Sequence, residues 1–264
     1  MPDDLIPIVE LMELVAKSVA CASSASENLR YDFLDLRQRV CVGLLQAVID
    51  YGRAIHAIVD KQIYYPTATL NRAALDAFVD IKIAFEKPEY CERLELADAL
   101  PWMRVLEKAS EGKNPLLAAI AQSESFAEGR RMYAKRIKAL EREGVKLPGQ
   151  EERYDLAEMS HEYDAAYKML SAEAHNNLSF ITQHYFDAHA EPPALRPRGS
   201  RPGNGAPAAT LIVMAEIVLT STDMVLRVCG HGTAILRPAR DQLDSIRARA
   251  SDANTGSDIE TQTA

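Results

Sequence analysis

The chain has 264 residues, of which 47% are hydrophobic and 26% are charged, and its formal net charge is −8 at pH 7. This length and composition fit one large domain and are typical of a soluble helical protein. The acidic balance opposes a protein that binds duplex nucleic acid mainly through its phosphates, although a local basic face could still do so.

Three features predict a cytoplasmic protein without a membrane anchor. The four cysteines have no Cys-x-x-Cys motif and no zinc-type spacing, which favours reduced thiols. The N-terminus is acidic where a signal peptide needs positive charge. The most apolar run, 208–228, is long enough to span a bilayer, but it contains residues that are costly in lipid: Glu216, Asp223 and Arg227. We therefore expect a buried helix there.

Apolar residues at helical spacing predict helices along most of the chain, and no strand pattern emerges. The expected helices are 4–22, 28–62, 66–86, 88–110, 115–143, 152–187, 208–230 and 239–250. These elements predict an all-α fold, an irregular bundle of about six to eight helices in a single domain over 1–237. Residues 238–264 are expected to form the last short helix and a disordered tail.

Two early helices carry features that need an explanation. The second helix contains Gly43 and Gly52, either of which could mark close packing or a weak point. The third is apolar most of the way round and should be central. It also carries Arg72 and Asp76, four residues apart, which can pair on one face.

Positive charge is concentrated in two later stretches. The second half of 115–143 carries Arg130, Arg131, Lys135, Arg136, Lys138 and Arg142. A run of this kind is most often a solvated helix face, and the alternative is contact with RNA. Residues 189–207 are rich in Pro, Gly and Arg and predict a mobile loop or a lid.

The segment Tyr163–Tyr185 combines helix formers with a row of polar groups. At helical spacing one strip contains Tyr163, Tyr167, Ser171, His175, Leu178 and Thr182. The hydroxyls could orient the imidazole and shift its pKa, so a general acid/base role is chemically available to His175. The alternative is a structural histidine bonded within the bundle. Asn176 and Asn177 could add hydrogen bonds or mark a bend.

A second polar stripe runs along the otherwise apolar helix 208–230. Its members are Glu216, Thr220, Asp223, Arg227 and His231. Such a stripe must face water, a partner or compensating charges. One interpretation is a solvent-facing edge, and the other is a polar cleft shared with Arg72, Asp76 and His175.

Metal-dependent and nucleophilic chemistry have weak support. Glu158-x-x-His161 has the spacing of carboxylate-bridged di-iron bundles, but no second such pair occurs, so no metal or cofactor is expected. Ser171 lies in no Gly-x-Ser-x-Gly elbow. The Arg, four to six residues, then His spacing of HEPN-type ribonucleases is also absent, although residues from separate helices could converge.

Two stretches resemble a known family. Ala68–Asp76 contains an Arg followed four residues later by an acid, and Tyr167-x-x-Leu170-Ser171-x-x-x-His175 contains a Tyr/Leu-Ser/His pattern. Both are similar to the uncharacterised, mostly bacterial family called domain of unknown function 5677, which usually has Glu where Asp76 stands. The resemblance covers about residues 28–187. It implies a helical fold and a polar centre made of Arg72, Asp76, Tyr167, Ser171 and His175, and it implies no activity.

Two functions from different classes therefore remain. The first is a non-enzymatic ligand-binding or regulatory module that holds a small ligand or a protein partner. The second is a metal-independent, nuclease-like hydrolase of stress or phage response, with His175 as acid/base and Arg72 on a phosphate, aided by Ser171 and Tyr167. A homo-oligomer is compatible with either. The residues expected to bind a ligand are Arg72, Asp76, Tyr167, Ser171, His175, Asn176, Glu216, Asp223 and Arg227.

Overall fold

A computed structural model describes residues 6–123, 125–174, 177–187, 190, 194–196 and 206–260. Within these residues the structure consists of helices, the turns that connect them and one small sheet, which confirms the all-α prediction. The α-helices are α1 Ile8–Glu27, α2 Leu36–Asp60, α3 Thr67–Glu86, α4 Tyr90–Ser110, α5 Ala118–Ala121, α6 Phe126–Arg142, α7 Gln150–Leu156, α8 Ser160–Glu162, α9 Lys168–Ala174, α10 Leu178–Tyr185, α11 Ala206–Val228 and α12 Arg237–Glu260.

Shorter elements connect these helices. Pro115–Leu117 and Ala234–Leu236 are 3-10 turns, and Tyr163–Tyr167 is a π-helical segment between α8 and α9. Strands β1 Phe186–Asp187 and β2 Ala194–Leu195 pair antiparallel, with Phe186 opposite Leu195. The sequence did not predict this sheet, because two-residue strands are too short to produce an alternating pattern.

The chain divides into two compact units, Met1–Phe85 with Tyr154–Ala264, and Glu86–Arg153. In the first unit α1, α2 and α11 pack against one another, and α12 contacts both α1 and α11. Their facing apolar stripes make a core, as period-3.6 patterning requires. Its fully buried members include Leu11, Leu14, Leu45, Ile49, Ile55, Leu211, Met214 and Leu219.

The second unit is built on α4 and α6. These two helices pack against each other, and α5 also contacts α4. Leu96, Leu106 and Leu140 are buried. Arg136 of α6 forms an ion pair with Glu95 of α4. The hydrogen bond to Glu95 raises the pKa of Arg136 further above its usual range, so the guanidinium stays charged.

The predicted helix 152–187 is wrong as a continuous element. It is interrupted after α7, where Glu158 adopts φ of 54°. The Met159 amide donates to the Tyr154 carbonyl at 2.8 Å, and the Glu158 amide donates to the Asp155 carbonyl at 3.0 Å. This is the Schellman C-terminal motif, with glutamate at the left-handed position that glycine usually takes. Because glutamate is a good helix former, the sequence did not reveal the stop.

The helix breaks a second time before α10. The Asn177 side chain accepts a hydrogen bond from the Ser179 amide at 3.0 Å and so caps the N-terminus of α10. A helix that begins at an asparagine cap does not continue the phase of the helix before it. The bend considered for Asn177 from the sequence is therefore present.

Other helix ends also differ from prediction. Helix α2 begins at Leu36 rather than near 28, because the Asp35 side chain caps it by accepting from the Gln38 amide. The predicted helix 115–143 is three segments, ending in α6. Helix α12 continues to Glu260, although 251–264 was predicted to be disordered; this tail is polar but has no proline to end a helix. Most of the predicted loop 189–207 lies outside the described residues.

In the part of the chain that the structure describes, two helices are long and apolar enough to cross a membrane by length and composition alone, Leu36–Asp60 and Pro207–Val228. Core helices of soluble proteins meet the same criterion, and both of these helices pack against other helices of their unit.

The four cysteines, all of which lie in the described residues, form no disulfide. Cys41 and Cys91 are buried, and Cys21 and Cys229 are partly exposed. Burial, followed by the negative charge of Asp35, raises the pKa of the Cys229 thiol, so this side chain is a weak nucleophile at neutral pH.

Candidate ligand-binding site

The structure brings together three residues of the predicted polar centre, Arg72, Asp76 and Tyr167. Arg72 Nη2 donates a hydrogen bond to the Tyr167 hydroxyl at 3.0 Å, and the guanidinium carbon lies 5.1 Å from the centre of the Tyr167 ring. Arg72 Nε is 4.0 Å from Asp76 Oδ2, one turn along α3. The side chains of Arg72 and Asp76 are 22% and 29% exposed, so their polar groups stay within reach of solvent.

Tyr167 belongs to a tyrosine cluster, which we define as Tyr154, Tyr163 and Tyr167. Each pair of rings has its centres 5.2 Å apart. Tyr163 and Tyr167 are stacked, with an interplanar angle of 16°. Tyr154 is fully buried, and its ring is tilted against both of the others. Tyrosines of this kind anchor a polar hydroxyl on an apolar body, which holds Tyr167 in place beneath Arg72.

The π-helical segment Tyr163–Tyr167 contains two members of the tyrosine cluster. A single π turn changes the direction in which the following residues face, and such turns occur frequently at functional sites. Lys168, the first residue of α9, places its ammonium 5.2 Å from the centre of the Tyr163 ring. Two cations, Arg72 and Lys168, thus lie over two stacked rings.

The remaining residues of the predicted strip are placed less completely. Ser171 is partly buried one turn after Tyr167 in α9. His175 and Asn176 lie outside the described residues.

Asn71, the neighbour of Arg72 on α3, is 3% exposed, and within the described residues its Oδ1 accepts no hydrogen bond. A buried acceptor without a donor costs stability.

The polar stripe of α11 finds its partners on α11 itself, on α12 and on the segment before α2. Glu216 Oε2 lies 2.7 Å from Arg247 Nη2, at an angle that makes the contact a charge pair rather than a directed hydrogen bond. Arg227 Nε pairs with Asp223 Oδ2 at 2.8 Å. His231 Nε2 lies 3.0 Å from the Arg30 carbonyl oxygen.

These contacts compensate the charges of the α11 stripe without help from α3. The side chain of Arg227 is 60% exposed and that of Glu216 is 33% exposed. This arrangement favours the interpretation of the stripe as a partly solvated edge. A cleft that joins the stripe to Arg72, Asp76 and His175 stays a prediction.

A cleft of about 400 Å³ in the second unit was missed by the sequence analysis. Its walls come from the start of α4, the turn after α6 and the start of α7: Glu89, Glu92, Arg93, Glu143, Gly144, Val145, Lys146, Leu147 and Glu152. Arg93 Nη1 is 3.7 Å from Glu152 Oε1. The residues are far apart in sequence, so no local motif marks the cleft. Among the described residues, no group of three His, Cys, Asp or Glu side chains is arranged to hold a metal ion.

The fold and the site define a class of protein, an all-α chain with a half-buried Arg–Asp–Tyr centre between α3 and the segment before α9. Residues 38–192, more than half of the chain, match the family described as Family of unknown function (DUF5677), and the chain belongs to that family. The match includes Arg72, Asp76, Tyr167 and Ser171. No curated protein and no solved structure gives a significant match to the chain.

Proposed function

We propose that this protein is a non-enzymatic, cytoplasmic binding module whose Arg72–Asp76–Tyr167 centre holds a small polar ligand or a polar group of a protein partner. The observation that carries the proposal is the way in which Arg72 is fixed. The guanidinium donates to the Tyr167 hydroxyl at 3.0 Å, its carbon lies 5.1 Å from the centre of the Tyr167 ring, and its Nε lies 4.0 Å from Asp76 Oδ2. A cation that is ordered before its ligand arrives loses less entropy on binding.

Two further features support a ligand at this place. Arg72 and Asp76 are partly exposed, so a ligand can reach them without unfolding α3. The adjacent Asn71 has a buried acceptor with no donor among the described residues, which is a group that native proteins seldom leave without a reason. In this proposal Ser171, His175 and Asn176 complete the site, and a homo-oligomer is compatible with it.

The test is thermal unfolding of the purified protein with a panel of small carboxylates, phosphate esters and amides. A ligand present at 100 times its Kd stabilises the folded state by about 2.7 kcal/mol, which raises Tm by about 5–10 °C for a chain of this size. Arg72→Met should remove that shift. The matched control is Arg227→Met, because Arg227 also pairs with an aspartate four residues away on a helix.

The outcomes separate the alternatives. A shift that survives Arg72→Met overturns the proposed site, and one that is lost in both variants indicates the cleft shared with α11. The nuclease-like alternative makes a different demand: purified protein should degrade RNA, and His175→Ala should abolish this without lowering Tm. That result would replace the module by a hydrolase.

A further inference from the structure

Helix α6 presents a basic face. At 100° per residue, five cations fall within an arc of about 140° on this helix. All five are exposed: Arg130, Arg131, Lys135, Lys138 and Arg142. The sixth cation, Arg136, lies on the other side of the helix, where it pairs with Glu95. On the helix, therefore, one cation of the run is held in an ion pair and the other five cations face solvent.

The basic face is not neutralised by ion pairs. Within the residues that the structure describes, none of the five cations lies within 4 Å of a carboxylate oxygen, and Arg131 Nε donates only to the carbonyl of Ala127, at 3.3 Å. Of the nearest acids on the helix, Glu128 lies just beyond one edge of the arc and Glu141 lies within it, about 20° from Arg130, so five cations share the face with one acid. A chain with a formal net charge of −8 thus keeps a local concentration of positive charge at one place.

The spacing of the cations is regular. At a rise of about 1.5 Å per residue, Arg131, Lys135, Lys138 and Arg142 follow one another at about 6, 4.5 and 6 Å along the axis. The whole face extends about 18 Å from Arg130 to Arg142. At this spacing, each long and flexible cationic side chain of the row can reach one charge of a flexible polyanion that lies along the helix.

We propose that the exposed face of α6 binds the phosphodiester backbone of a single-stranded polynucleotide. A membrane surface fits less well, because a membrane-bound amphipathic helix buries its apolar face in lipid. The apolar face of α6 is already occupied: it packs on α4, with Leu140 buried and Phe126, Tyr133 and Ile137 partly buried. A single strand, unlike a rigid duplex, can adapt its phosphates to a straight row of cations.

Binding of this kind has a measurable salt dependence. Five phosphate contacts to a single strand predict that log K falls with log[salt] with a slope of about −3.5. Raising the salt from 50 to 200 mM should therefore weaken binding by about 100-fold. Because phosphates carry no sequence information, affinity should depend little on base identity.

The experiment measures fluorescence anisotropy of the full chain with labelled 20-nucleotide oligouridylate and oligothymidylate across a salt series. The test variant is Arg131→Gln with Lys138→Gln, and Lys135→Gln with Arg142→Gln is a second, independent pair. The control is Lys17→Gln with Arg237→Gln, which changes the net charge equally through two other exposed cations. Circular dichroism establishes that each variant is folded.

Each test pair should weaken binding by about 25-fold at 0.1 M salt and make the slope less steep by about 1.4, whereas the control should bind like the parent chain. A preference for the ribose or the deoxyribose oligomer identifies RNA or DNA as the source of the phosphodiester. The proposal is overturned if both test pairs bind like the control. It is also overturned if the protein binds neither oligomer but does bind vesicles of phosphatidylserine and phosphatidylcholine, and if the two test pairs weaken that vesicle binding.

Discussion

Tyr167 contributes to the candidate site through two different parts of its side chain. Its hydroxyl accepts the hydrogen bond from Arg72, and its ring lies under the guanidinium and against Tyr163. Tyr167→Phe removes the first contribution and keeps the second. We expect the free energy of unfolding in urea to fall by about 1 kcal/mol, since the hydrogen bond has a charged donor that is partly solvated.

Tyr51→Phe is the control for this prediction. Tyr51 is also partly buried in the first unit, and its hydroxyl makes no hydrogen bond within the described residues. Its removal should therefore change stability by less than the removal of the Tyr167 hydroxyl. Equal effects of the two substitutions would mean that the bond between Arg72 and Tyr167 does not stabilise the fold.

Two glycines of α2 that look alike in the sequence have opposite roles. A Cβ at Gly52 would lie 2.8 Å from Val19 Cγ2 and 3.2 Å from Val218 Cγ2, whereas a Cβ at Gly43 would meet nothing within 4 Å. Gly52→Ala should destabilise the protein by about 1–3 kcal/mol, because a valine side chain is stiff and cannot move aside. Gly43→Ala should stabilise it by up to about 1 kcal/mol through helix propensity.

The check is the Tm and the urea midpoint of both glycine variants. If Gly52→Ala is as stable as Gly43→Ala, α1 and α11 do not approach α2 as closely as the structure has them. The pair also illustrates a limit of sequence reasoning at this scale. The pattern placed both glycines on one helix, but which of them lies at a helix crossing depends on α1 and α11, whose positions are tertiary information.

At the scale of elements, the helix ends depend on residues that propensity misjudges. Gly230 ends α11 with φ of 74°, and the His231 amide donates to the Leu226 carbonyl at 2.8 Å. Glu158 ends α7 by the same bonding pattern without a glycine. The sequence predicted the end of α11 within two residues and missed the end of α7. The phase of the polar strip was therefore predictable only from Tyr167 to Ser171, and neither across the π-helical turn before it nor across the break at Asn177.

Glu158 is the place to test this account of the α7 end. The residue is exposed, so its substitution removes little packing. A left-handed conformation costs about 1–2 kcal/mol for a residue with a Cβ, and glycine avoids that cost but is more flexible in the unfolded chain. Glu158→Gly should stabilise the protein by about 1 kcal/mol, whereas Gly230→Ala should destabilise it by a similar amount.

The measurement is the Tm of these two variants in thermal unfolding. The opposite signs are the essential result, because both substitutions exchange glycine and a residue with a Cβ at the same position of a Schellman motif. A loss of stability in Glu158→Gly would indicate that the segment between α7 and α8 is not held in the left-handed conformation. The continuous helix predicted from the sequence would then be the better description.

At the scale of the whole molecule, the described chain forms two compact units of different internal construction. Residues with helical periodicity occur throughout, so pattern alone does not tell a helix that packs on three others from one that packs on a single neighbour. Of the largest fully buried side chains among the described residues, Leu140 is the only one that belongs to the unit Glu86–Arg153. The first unit supplies the rest, from Leu11 on α1 to Leu219 on α11.

This difference in burial predicts a difference in local stability. Units with little buried apolar surface open at a lower free-energy cost than the main core. In hydrogen–deuterium exchange under conditions where exchange reports the opening equilibrium, peptides from 90–110 and 126–142 should therefore exchange faster than those from 36–60 and 206–228. Low concentrations of urea should accelerate the first group before the second. If all four groups instead share one opening free energy, the two units unfold as a single cooperative body.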